Sequence, residues 1–260
     1  MIDYSFSYAD LEFFLCVMVR ILTFVYAAPF FGMNNTPNRV KIGLGFFLAV
    51  LVYPTLLPHE ALVYNTVLGY ATIILKEAAT GLLIGLSANI CTMIVAFAGR
   101  LVDMEIGLTM MTEMDPTTKE STTVTGLIYQ YTVMLILLVS GLYQFLIKAL
   151  VDTFTLIPVN GAVFSSDKLL LAMIAFVGDY IVIGFRISLP VFITITVLNV
   201  TLGVLAKVAP QVNMFSVGIQ VKMLAGLSML YLTIGLLPNV ANFIMEEMKT
   251  TVNAFIGGMM

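Results

Sequence analysis

The stretch Arg100-Leu-Val-Asp103-Met-Glu105-Ile-Gly107-Leu-Thr-Met110-Met111-Thr-Glu113-Met114-Asp115-Pro116-Thr-Thr-Lys119-Glu120-Ser121 is the longest polar break in an otherwise apolar chain. Carboxylates alternate there with Met104, Met110, Met111 and Met114. Asp115-Pro116 stops a helix, because proline lacks the N–H and drives its predecessor out of the α region. Irregular, charged backbone cannot lie against lipid. It must meet water, sit inside protein or line a wet cavity. The apolar runs on either side are therefore read as membrane-embedded helices, and the fold class as all-α.

Composition gives the same class. The chain is 60% apolar and 10% charged, with a mean hydropathy of +1.03, whereas soluble domains carry roughly a quarter charged residues. A globule of this size has no interior large enough for so much apolar surface, so an integral membrane protein is expected. The net charge is −3 without a basic run, which argues against nucleic acid as a partner. Cys16 and Cys91 lie within apolar runs and read as small hydrophobes rather than a disulfide framework or metal site.

The N-terminal segment has no Lys or Arg before its first apolar run, so Leu11–Phe31 is read as a retained spanning helix with Arg20 in its middle. Further runs follow at Ile42–Leu57, Val67–Ala98, Val124–Ile147, Leu169–Leu205 and Met223–Met248. The Val67 and Leu169 runs overshoot the roughly 20 residues that cross a bilayer core, which predicts helices that break, tilt or extend beyond the membrane. Lys148–Lys168 reads as a connector. With the N-terminus outside, Arg39, Lys41, Arg100, Lys119, Lys207 and Lys222 fall inside. Lys148, Lys168 and Lys249 fall outside, the sense expected of the positive-inside rule.

Catalytic signatures are missing. His59, in a polar turn, is the single histidine, and no GxSxG, HExxH or GxxxxGK[ST] occurs. Gly178-Asp179 matches the tail of a GxGD protease motif, but Phe176 breaks it and no second Asp corresponds. A non-enzyme without a cofactor is expected. Arg20, Glu77, Asp179 and Arg186 are costly in apolar surroundings and should face protein or water. They read as charge-pairing residues, with a proton or ion relay as the alternative. Gly81-Leu-Leu-Ile-Gly85 has the small-xxx-small spacing of helix packing. The methionine cluster admits two readings, a deformable closure or plain gap filling.

Five stretches stand out in chain order: Pro37-Asn-Arg39-Val-Lys41-Ile-Gly43-Leu-Gly45, Glu77 with Gly81 and Gly85, Asp103-Met-Glu-Ile-Gly107-Leu … Asp115-Pro116, Leu150-Val-Asp152-Thr-Phe154-Thr-Leu-Ile-Pro158, and Leu189-Pro190 … Leu198-Asn199 … Gly203 … Ala209-Pro210-Gln211 … Phe215 … Gly218. Together, and in this order, they resemble the FliR family of flagellar type III export-gate proteins. Injectisome relatives share the outline. The resemblance implies a polytopic subunit of long tilted or broken helices, with a FliP-like part at 1–157, a connector at 158–168 and a FliQ-like hairpin at 169–260. Lys207, Pro210 and Gln211 then belong to the loop between the hairpin's helices. It further implies assembly with FliP and FliQ, with FlhB around the entrance and FlhA supplying energy coupling. Location would be the inner membrane at the flagellar basal body, where unfolded flagellar subunits pass. Gly107, Met110, Met111, Met114, Asp115 and Pro116 are expected to plug the channel, with methionines and Glu113 where the family is expected to carry some aromatic residues. The alternative function is an ion-coupled secondary transporter using Glu77, Asp179 and Arg186.

Overall fold

A computed structural model describes residues 7–33, 36–58, 62–110, 112–114, 121–209, 211 and 214–260. The fold is all-α apart from one short hairpin. In chain order come α1 (Tyr8–Ala27), α2 (Asn38–Val52) with a 3-10 turn Tyr53–Leu56, and α3 (Val67–Ile106) with a 3-10 turn Leu108–Met110. The strands β1 (Thr112–Met114) and β2 (Ser121–Thr123) follow, then α4 (Val124–Val139), α5 (Leu142–Leu156) and α6 (Ser166–Val208). The last elements are α7 (Met214–Thr233), a 3-10 turn Ile234–Leu236, and α8 (Leu237–Gly257). Among the described residues, four helical segments are long and apolar enough to cross a membrane: Asn38–Leu56, Val67–Ile106, Ser166–Val208 and Val217–Gly257. The broken pair α4 and α5 adds a fifth if it crosses as one span.

The overlong runs are unbroken helices of 40 and 43 residues. α3 continues past the expected end at Ala98 because Asp103 finds buried partners there. The fourth run instead splits at Ser140–Gly141, where Gly141 takes φ +82°, a left-handed conformation glycine adopts without strain. Half of the expected connector is helical: α5 extends to Leu156 because Leu142, Leu146, Leu150 and Phe154 line one buried face. The last run is interrupted at Ile234–Leu236, so Pro238 falls in the first turn of α8, where its missing N–H costs no helical bond. That helix then runs beyond Met248 to Gly257.

Two compact units are built from interleaved segments, Met1–Ile90 with Gly141–Ala175 and Glu247–Met260, and Cys91–Ser140 with Phe176–Glu246. In the first, α1 packs on α2 with Gly45 against Leu22 and Phe14 edge-on to Phe46 at 6.0 Å. Lys41 is buried there, its Nζ donating to the Gly32 carbonyl at 3.0 Å. The final residues pair with the segment before α6: Val163 N donates to Met259 O and Ser165 N to Gly258 O, both at 3.0 Å. In the second unit Ile106, Val102 and Leu108 form a cluster with Val191 and Ile195 of α6, covered by Met223, Met229 and Leu230 of α7. Phe97 stacks on Tyr180 at 4.9 Å and fills the space left by Gly184.

Candidate functional site

Within the first unit, Arg20 of α1 and Glu77 of α3 form a fully buried ion pair, with Nε–Oε2 at 2.6 Å. Each group makes hydrogen bonds beyond the pair itself. Arg20 Nη1 donates to the carbonyls of Thr153 (3.3 Å) and Ile157 (2.9 Å), and Nη2 to that of Pro158 at 3.5 Å. The guanidinium therefore covers the carbonyls at and just past the end of α5, where Thr153 O also accepts the Ile157 N–H at 2.8 Å, and lies 4.4 Å from the centre of the Phe154 ring. The other Glu77 oxygen accepts the Asn160 N–H at 2.9 Å. Asn160 has φ +69°, a conformation asparagine tolerates better than most residues, and this points its N–H inward. A side chain at Gly81 would collide with the Arg20 carbonyl and the Thr23 hydroxyl, and one at Gly85 would lie 2.8 Å from the Phe24 carbonyl. These two glycines let α3 approach α1 closely enough for the pair to form without water.

The second unit holds the central stretch. β1 and β2 pair antiparallel, Thr112 with Thr123, Glu113 with Thr122 and Met114 with Ser121. Gly107 ends α3 with φ +93°, and its N–H returns to the Asp103 carbonyl at 3.0 Å. Ile106 and Leu108 on either side are buried in the apolar cluster. At the other end, Asp103 is fully buried and its carboxylate accepts the Thr125 N–H at 2.8 Å and the Thr125 hydroxyl. Thr125 lies in the first turn of α4, so a carboxylate of α3 caps α4 and fixes both ends of the hairpin. Gly99, one turn before Asp103, meets the backbone of Gly126 so closely that a side chain at position 99 would collide with it. Thr122 and Thr123 are buried at the hairpin base, and their hydroxyls have no hydrogen-bond partner among the described residues.

Of the expected plug residues, Gly107 is at the helix end, while Met110 and Met114 are described as backbone in the 3-10 turn and β1. Met111, Asp115 and Pro116 lie outside the described residues, as does Pro210. Lys207 is exposed in the last turn of α6, and Gln211 is exposed in the segment before α7. Asp179 and Arg186 are both exposed on continuous α6 and form no ion pair with each other or with another described residue. Arg186 borders a cavity of about 210 Å³ with Tyr129, Pro190, Thr233 and Asn239. Pro190 donates no hydrogen bond to the Arg186 carbonyl one turn earlier.

Sequence reading missed Asp103 as a buried cap, the carbonyl acceptors at the end of α5 and the N–H of Asn160. Thr123 immediately before an apolar run was the available signal for the start of α4. Among the described residues no cluster of three or more His, Cys, Asp or Glu is placed to hold a metal ion.

Continuous apolar helices, a dry ion pair and a single short hairpin define a polytopic α-helical membrane protein. A family profile described as "Bacterial export proteins, family 1" matches residues 11–248. The flagellar biosynthetic protein FliR of Pectobacterium carotovorum subsp. carotovorum is 30% identical, with 90% of this chain and 88% of the relative aligned. FliR of Bacillus subtilis (strain 168) is 28% identical across 94% and 95%, and FliR of Escherichia coli (strain K12) 26% across 90% and 87%. The chain belongs to the FliR family of bacterial export proteins.

Proposed function

We propose that this chain is a subunit of the flagellar type III protein export gate, forms part of its protein-conducting channel, and closes that channel with the central loop around residues 106–115. In this reading it works in the inner membrane at the flagellar basal body, with FliP and FliQ as neighbours, FlhB at the entrance and FlhA coupling export to energy. Residues 1–157 are its FliP-like part, 158–168 the connector, and 169–260 the FliQ-like hairpin with its loop at Lys207, Pro210 and Gln211. Unfolded flagellar subunits are the cargo, and no catalytic step is assigned to the chain.

The observation that carries the plug role is the double anchoring of the central hairpin. Its two ends are held by Gly107 with the Ile106–Leu108 cluster and by the Asp103–Thr125 cap. Its two strands pair with each other over three residues. Met110, Met111 and Met114 bring flexible apolar side chains to a segment tethered at both ends. A transporter mechanism on Glu77 has less support, because both carboxylate oxygens are engaged in the dry knot with Arg20 and Asn160.

The test is a deletion of residues 109–121, bridged by two glycines, which removes Met110, Met111 and Met114 and spares the buried Ile106, Leu108 and Asp103. Ion flux is then measured across membranes containing the assembled gate. The expected result is normal assembly with an added leak to small ions. A gate that assembles and stays tight refutes the plug role.

A further inference from the structure

A hollow of about 490 Å³ lies in the second unit between α4 and the α7–α8 junction, with Ile128, Ile136, Leu230 and Ile234 among its walls. It shares Tyr129 and Leu237 with the cavity of about 210 Å³ beside Arg186, so the two adjoin along one pair of side chains. Their characters differ. The larger is almost wholly apolar, and its Thr125 is already committed to Asp103. In the smaller, Thr233 returns its hydroxyl to the carbonyls of Met229 and Leu230 at 3.0 and 3.1 Å. The donors left over there are the Arg186 guanidinium and the Asn239 amide, and neither side chain bonds to a described residue.

The spacing of charges sets these hollows against the bilayer. No Asp, Glu, Lys or Arg occurs between Arg186 and Lys207 on α6, or between Lys222 and Glu246 on the returning limb. At 1.5 Å per residue the first stretch measures about 30 Å, the thickness of a hydrocarbon core. Arg186 therefore falls at headgroup level, where Asn239 and Phe243 meet it near the Glu246 end of the returning limb. From there the walls run through Leu237, Ile234 and Leu230 toward the Lys222 end, which places the larger hollow at acyl-chain depth.

We infer that the paired hollows bind an anionic phospholipid of the surrounding membrane, its phosphate on Arg186 and Asn239 and one acyl chain in the apolar hollow. A guanidinium offers phosphate two parallel donors, and a basic pocket between spanning helices is the setting in which anionic headgroups are held. The larger hollow is within the size range of ligand sites. A helix of another protein could cover the same apolar walls, but it would have to bring an acid to Arg186 at a level where lipid phosphate is already abundant. Bound there, the lipid joins α4, α6 and α8 where their side chains leave a gap. The site does not depend on the central loop closing a channel.

The test places photoreactive benzoylphenylalanine in place of Tyr231, an exposed wall of the larger hollow, in the full chain within its native complex. The complex is held in mild detergent micelles with equal amounts of phosphatidylglycerol and phosphatidylethanolamine, irradiated, and its adducts are read by mass spectrometry. Adducts should be mainly phosphatidylglycerol. Arg186→Gln should lower that yield about tenfold, the size of a lost charge-assisted hydrogen bond, and leave the phosphatidylethanolamine yield unchanged. Arg186→Lys should keep most of the preference, which separates charge from packing. Ile128→Trp, which fills the tail hollow, should lower both yields. An adduct to a neighbouring protein in place of lipid overturns the proposal in favour of a helix interface. Equal lipid preference in the parent and Arg186→Gln overturns it as well, leaving only a greasy surface.

Discussion

Among the described residues the two buried acids, Glu77 and Asp103, sit in opposite kinds of surroundings. Glu77 meets a full positive charge, and Arg20 in turn meets three backbone carbonyls and a ring face, so charge is answered by charge and by further hydrogen bonds. Asp103 meets only neutral donors of one residue, beside two hydroxyls with no partner. The first arrangement is closed: opening it strands a charge in an apolar interior. The second has a spare acceptor waiting at the same helix end. The lesson is that burial of an acid does not by itself mean rigidity, since what matters is whether an equivalent partner lies within reach.

The comparison is broken most forcefully at Glu77. Glu77→Ala should cost about 3–5 kcal/mol by leaving Arg20 unpaired, measured as thermal or denaturant unfolding of the purified chain in detergent. The double change Arg20→Met with Glu77→Leu should be far milder, because it removes both charges at once. A double variant as unstable as the single would mean that the hydrogen bonds to α5, not the charge pair, hold the knot. Next in size is Gly81→Val, which should cost about 1–3 kcal/mol by forcing α3 away from the Arg20 carbonyl, read in the same melt. Asp103→Ala should cost about 0.5–2 kcal/mol, the range of a helix cap, with the loss confined to exchange in residues 112–128. The smallest effect belongs to Thr122→Val, within about 1 kcal/mol and neutral or stabilising, since it deletes a buried hydroxyl that bonds to nothing described. A large loss there would show that the hydroxyl has a role in the hairpin.

Much of the helical plan was legible because long apolar runs leave few alternatives in a membrane protein. Where the reading went astray, single residues decided. Asp103 was taken with the polar stretch, yet it is helical and dry, because its partner is the start of another helix and no spacing rule reveals that. The last apolar run ends at Met248, where Glu246, Glu247 and Lys249 interrupt it. Met248, Val252, Phe255 and Ile256 nonetheless recur at helical spacing and bury one face of α8. Arg20 and Glu77 were each recognisable as residues that must find company. That they find each other across 57 positions, together with the end of α5, depends on Gly81 and Gly85 bringing two backbones together. The carbonyls of Thr153, Ile157 and Pro158 could not be foreseen, because every residue type offers the same acceptor.

The proline in α6 bears on how that long helix responds to load. Its absent donor leaves the Arg186 carbonyl unbraced, and the Thr194 hydroxyl draws on the Pro190 carbonyl at 2.8 Å, a pattern that bends helices. Stiffness along a rod of 43 residues is therefore uneven. Lateral force will concentrate curvature between Arg186 and Thr194, and the hollow beside Arg186 will widen or narrow as it does.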